Sequence, residues 1–139
     1  MIHVDRRDGI PRVAPSGHYA QAEFAEAVDR ALALCPDGHA PGLILDFSEA
    51  HGVERHSVVR VRETTWHLVS RRDCYAGVIA VIARSEALLQ ILEVGGAVSF
   101  LNGITYRYCA DLADAVEWLA CVEGHTFASE SPKRTEEIV

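Results

Sequence analysis

The sequence has no run of about 18 apolar residues, and Met1 is followed by the charged stretch His3-Val4-Asp5-Arg6-Arg7. Neither a membrane-spanning helix nor the apolar core of a signal peptide is therefore expected, and the expected compartment is the cytoplasm. It also lacks a basic surplus: 13 Lys and Arg stand against 20 Asp and Glu, for a net charge of -7. Binding to a phosphate backbone draws mainly on clustered Lys and Arg, so no nucleic-acid partner is expected. The four cysteines, Cys35, Cys74, Cys109 and Cys121, have no C-x-x-C spacing, and each lies in or beside an apolar segment, the pattern of buried free thiols. No Walker A loop, G-x-G-x-x-G turn, G-x-S-x-G elbow or H-E-x-x-H pair occurs. The common nucleotide, hydrolase and zinc-protease signatures are thus missing, and a non-enzymatic protein without a cofactor is expected.

What remains is the composition of an ordinary folded domain, 49% hydrophobic and 24% charged over 139 residues. A chain of this length buries enough surface to hold one core without metal or disulfide staples. Gly42-Leu43-Ile44-Leu45-Asp46-Phe47-Ser48 reads as a central strand covered on both faces, interrupted near its end by an acid. In open α/β sheets ligands collect at the carboxyl ends of strands, so Asp46 and Ser48 mark the first candidate site.

The rest of the chain falls into place around that strand. Ile2-His3-Val4 and Ile10-Pro11-Arg12-Val13 flank Asp8-Gly9 as a hairpin. Phe24, Ala27, Val28, Ala31, Leu32 and Cys35 make the inner stripe of a first helix. Ser48-Glu49-Ala50-His51-Gly52 reads as a loop, followed by a helix from about Glu54 to Ser70 with Val58, Val61, Thr65, Leu68 and Val69 inward and Val59 and Trp66 off the stripe. Tyr75 to Ala83 is an uncharged strand, Ser85 caps a third helix weakened by Gly95-Gly96, Ile104 to Tyr108 is a half-exposed strand, and Asp111 caps a last helix that Gly124 stops. The expected fold is a mixed, mainly parallel α/β sheet with an N-terminal β-hairpin and about four helices, in the order β-β-α-β-α-β-α-β-α. Residues 1-124 form the domain, and 125-139, polar and without period, a flexible or loosely docked tail.

That order, the Leu43-Ile44-Leu45-Asp46-Phe47-Ser48 strand running through a loop into a helix, and the closing Tyr106-x-Tyr108 strand with the Asp111-to-Leu119 helix resemble the STAS superfamily of sulfate transporters and anti-sigma-factor antagonists. The likeness is nearest to the SpoIIAA-like branch and covers roughly residues 2 to 120. It implies a binding or regulatory domain that meets a protein partner through the strand-loop-helix edge at residues 46-60. In regulatory members the turn after this strand carries a phosphorylated serine. Here the corresponding turn is Glu54-Arg55-His56-Ser57, with His56 at the phosphoacceptor position and Ser57, one place on, as the remaining phosphorylation candidate. The resemblance therefore implies a domain without the usual phospho-switch. It also implies an alternative, a small-molecule or lipid-binding carrier of CRAL-TRIO-like topology, in which the third helix with Gly95-Gly96 lifts from an apolar pocket.

The residues singled out for a partner or ligand are Asp46, Ser48, His51, Glu54, Arg55, His56, Ser57 and Arg60. Residues 55-72 carry a net +4, which leaves -11 on the remainder, so this helix is either a cationic docking face or a solvated one paired with the protein's own acids. His56, Glu63 and His67 share a helical face and are weak metal-ligand candidates. A homodimer through a patch that includes Trp66 is a further expectation.

Overall fold

The computed structural model describes residues 1-36, 39-52 and 57-130. Its first two strands, β1 (Ile2–Arg7) and β2 (Ile10–Gly17), form an antiparallel hairpin, turned by Asp8 and Gly9 at φ of 53° and 82°. Both turn positions need the left-handed region, which Gly adopts freely and Asp tolerates, so Asp-Gly closes the hairpin in two residues. Then follow α1 (Gln21–Ala33), β3 (Leu43–Asp46), the two-residue β4 (Glu49–Ala50), α2 (Val58–Ser70), a 3-10 turn at Arg72–Tyr75, β5 (Val78–Ile82), α3 (Glu86–Leu101), β6 (Thr105–Cys109) and α4 (Leu112–Glu130). The fold is the mixed, mainly parallel α/β sheet with an N-terminal hairpin and four helices that the sequence pattern indicates.

The sheet order is β1-β2-β3-β5-β6, with every pair from β2 onward parallel. Parallel strands in chain order, joined by right-handed crossovers, must carry all their connecting helices on one face. Phe24 and Val28 of α1, Leu68 of α2 and Leu88 of α3 accordingly pack with Val13, Leu43, Leu45, Ile79 and Val81 in one cluster. The opposite face is covered by α4, whose Ala115 and Leu119 meet Ile10, Ile44, Val78, Ala80 and Ile82. Leu43 to Phe47 is buried throughout, as a strand covered on both faces must be.

Five local details differ from the sequence pattern. The strand expected from Tyr75 begins only at Val78, because Tyr75 closes the 3-10 turn and Ala76 and Gly77 turn the chain at φ of 60° and 68°. The stretch after Ser48 is not wholly loop: Glu49 and Ala50 extend the sheet by pairing in parallel with Ser16 and Gly17, because the hairpin strand runs past Pro15. The second helix begins at Val58, with Ser57 as its cap, although its inner stripe of Val61, Thr65 and Leu68 is buried as expected. The last helix continues through Gly124 to Glu130; one helical glycine costs only about 1 kcal/mol, too little to stop a helix unaided. Finally, Cys35 and Cys109 are buried free thiols, but Cys74 is half-buried and Cys121 exposed. Cys121 lies two residues past the buried Leu119, about 200° around the helix and off its inner face.

Candidate functional site

At the end of β3 the Asp46 side chain does not point into a crevice. Its residue is 5% exposed, and both carboxylate oxygens are engaged. Oδ1 accepts from the Ser48 amide at 3.0 Å and the Ser48 hydroxyl at 2.6 Å, while Oδ2 accepts from Arg12 Nε at 3.2 Å and Nη2 at 3.0 Å. Arg12 Nη1 reaches on to Asp5 Oδ2 at 2.9 Å, an oxygen also met by His3 and Arg7. Burial pushes the Asp46 carboxyl up, but the Ser48 hydrogen bonds and the Arg12 guanidinium override it and hold it below the usual carboxylate range. Burial likewise acts upward on Asp5, and Arg12 brings it down. Arg12 ties β2 to β3 and β1, a role its position between Pro11 and Val13 signals only as a lone charge in an apolar strand.

Of the other residues singled out from the sequence, His51 and Ser57 are exposed, and the Ser57 hydroxyl accepts from the Arg60 amide at 3.1 Å as the cap of α2. The Arg60 guanidinium donates to the Tyr19 carbonyl at 3.2 Å, tying α2 to the start of α1. Glu54, Arg55 and His56 lie outside the described residues, and with them the turn that the STAS resemblance places at the phosphorylation position. Glu63 is exposed, whereas His67 contacts Asp29 Oδ1 at 3.0 Å, the same oxygen that accepts from Arg71 Nε at 3.0 Å. Asp29 thus joins His67 to α1. Part of the positive charge of residues 55-72 is therefore engaged internally, with Arg71 paired to Asp29 and Arg60 donating to a backbone carbonyl.

A second arrangement lies under the helices. Between the sheet and α1, α2 and α3 is a cleft with a cavity volume of about 70 Å³. Its floor is Leu45, Phe47, Ile79 and Val81; Val61, Thr65 and Leu68 of α2 and Gly96 of α3 form buried walls; Tyr19, Thr64, Leu92, Tyr106 and Tyr108 are its partly exposed lining. The surface is overwhelmingly carbon. A Cβ on Gly96 would stand 2.5 Å from the Tyr106 hydroxyl oxygen and 2.6 Å from its ring carbon Cζ, so the glycine in this helix is what lets Tyr106 lie against α3.

The polar atoms of the cleft are hydroxyls. Thr65 Oγ1 donates to the Val61 carbonyl at 2.8 Å and is spent. Burial raises the pKa of Tyr108 far above its ordinary value, and its hydrogen bond to the Glu93 carboxylate acts in the same direction, so the phenol stays protonated. Burial raises Tyr19 and Tyr106 as well, against Arg60 for Tyr19 and with Glu93 for Tyr106. Tyr106 and Tyr108 meet edge to face, with ring centroids 5.6 Å apart. Chemically the cleft offers apolar surface, aromatic edges and neutral hydroxyls, the surroundings of an uncharged or apolar group. The alternation of Tyr106 and Tyr108 along β6 identifies their shared face in the sequence; the space above them depends on how far α3 stands off the sheet.

Comparison with family models, with curated proteins and with solved structures gives no match to this chain. Among the described residues, no helix is long and apolar enough to cross a membrane.

Proposed function

We propose that the chain is a non-enzymatic, SpoIIAA-like binding domain of the cytoplasm whose ligand site is the apolar cleft beneath α2 and α3. It takes a small apolar molecule or the apolar end of an amphipathic one, such as an acyl chain. The observation that carries this reading is the carbon-lined cleft itself. Protein interiors pack densely, so a carbon-lined cleft of about 70 Å³ between helices and sheet leaves apolar side-chain surface that a ligand can cover. The volume is about half of the roughly 150 Å³ that admits benzene, which suits an alkyl tip held inside with the remainder of the ligand at the partly open mouth. The contact of Gly96 with Tyr106 places the thinnest part of α3 over the cleft, where a small outward movement of the helix enlarges it.

The edge around residues 46-60 supports a partner-binding role less well. Asp46 and Ser48 are spent on each other and on Arg12, so the described residues of that edge that remain exposed are Glu49, His51, Ser57 and Val59. The reading is tested by native mass spectrometry and organic extraction of protein purified from cells, followed by titration with decanoate. Expected is a co-purifying apolar ligand, or saturable 1:1 binding of decanoate; protein that is both empty and unable to bind decanoate would sink it.

A further inference from the structure

The side of α2 facing away from the cleft carries a different feature. Val59 is 62% exposed and Trp66 49%, the two large apolar side chains of this helix that face outward among the described residues. Seven residues apart, they lie on one stripe, and the exposed Arg62 and Glu63 sit between them. Neither Arg62 nor Glu63 has a hydrogen bond or ion pair among the described residues, unlike Arg60, Arg71 and His67 on the flank toward α1. α2 is also the middle helix of its layer, packed between α1 and α3, so the stripe runs along the centre of the layer's outer surface.

The order along the stripe reads Val59, Arg62, Glu63, Trp66, and it is self-complementary. When a two-fold axis crosses the helix between residues 62 and 63, two antiparallel copies bring together residues equidistant from that midpoint. Val59 then faces the second copy's Trp66, and Arg62 faces the second copy's Glu63, each contact occurring twice. Opposite charges meet and apolar groups meet, which is the requirement of an isologous contact. A membrane is a poorer match, since the stripe itself carries one charge of each sign and no net attraction for anionic headgroups.

We infer that the outer face of α2 is a homodimer contact, two copies packing antiparallel through Val59 and Trp66 with reciprocal Arg62–Glu63 pairs. One helix face is smaller than the roughly 800 Å² per partner of a standard interface, so association is expected at concentrations of about 10 to 500 μM. Sedimentation equilibrium over that range tests the contact with two exposed, charge-reversing variants, R62E and E63R. Each variant alone sets like charges against each other and is expected to dimerise at least about tenfold more weakly than the wild type. Mixed in equal amounts they restore both pairs, and the mixture is expected to dimerise about as well as the wild type. Trp66→Ser is expected to abolish dimerisation while leaving the circular dichroism spectrum unchanged. A wild-type chain that stays monomeric to 500 μM, single variants that dimerise normally, or a mixture no better than either variant alone each overturns the contact. Monomeric protein that instead sediments with phosphatidylglycerol vesicles in a Trp66-dependent way gives the face to a membrane.

Discussion

The carboxyl end of β3 and the cleft under α3 are built on opposite terms. At the first, each carboxylate oxygen of Asp46 has two donors, and the group is nearly closed to solvent. At the second, side chains of the sheet and helices leave a carbon-lined cleft of about 70 Å³. A buried charge must be paired for the chain to fold, whereas an apolar cleft offers surface that no partner among the described residues claims, which is why the proposed site is the cleft. Position in an α/β fold directs attention to the strand end, but the state of the groups there directs it to the cleft.

The contrast breaks most readily at Asp46. Asp46→Ala leaves the half-buried Arg12 guanidinium with Asp5 alone, and the expected loss is about 3 kcal/mol, read as a lower urea midpoint at unchanged slope. Decanoate binding by the folded fraction should be unaffected. Acid provides a related and smaller effect. The folded Asp46 carboxyl titrates below its unfolded value of about 3.9, so its stabilisation is fully present above that pH and is lost as pH falls through the lower folded value. Urea midpoints measured from pH 6 to pH 3 should therefore fall in the wild type and fall less steeply in Asp46→Asn.

How much of this was legible depends on what each element needed. The strands and helices follow from period and punctuation: Asp8-Gly9 makes the hairpin, Ser85 accepts from the Leu88 amide at 3.0 Å, and Asp111 accepts from the Asp114 amide at 2.8 Å. Those are local signals. The partnership of Arg12 with Asp46, 34 positions apart, is set by the parallel pairing of β2 with β3 and has no local trace. An Asp at a strand end bracing the next backbone amide, as Asp46 does for Ser48, is a local pattern, but the guanidinium on its other oxygen is not. The cleft was foreshadowed by Gly95-Gly96 and by Tyr106-x-Tyr108, yet its existence depends on the stand-off between a helix layer and a sheet. Sequence pattern does not encode that distance.

The cleft side of the comparison is sharpened by filling it. Val61→Phe adds carbon to the buried wall of the cleft, entering open space rather than a packed one, so stability should change by less than about 1.5 kcal/mol. Decanoate affinity should fall at least about tenfold, a separation of binding from stability that is the reverse of the Asp46→Ala result. The smallest effect belongs to the edge: Ser57→Ala removes the cap of α2 and should cost about 1 kcal/mol by thermal denaturation, with no change in decanoate affinity.

The central claim, that ligands enter the cleft and not the strand edge, is tested most directly by an amide-resolved NMR titration of the wild-type chain with decanoate. The account predicts saturable shifts at Leu45, Val61, Gly96, Tyr106 and Tyr108, absent in Val61→Phe. Shifts confined to Ser48, His51 and Ser57, or none at saturating ligand, would contradict it.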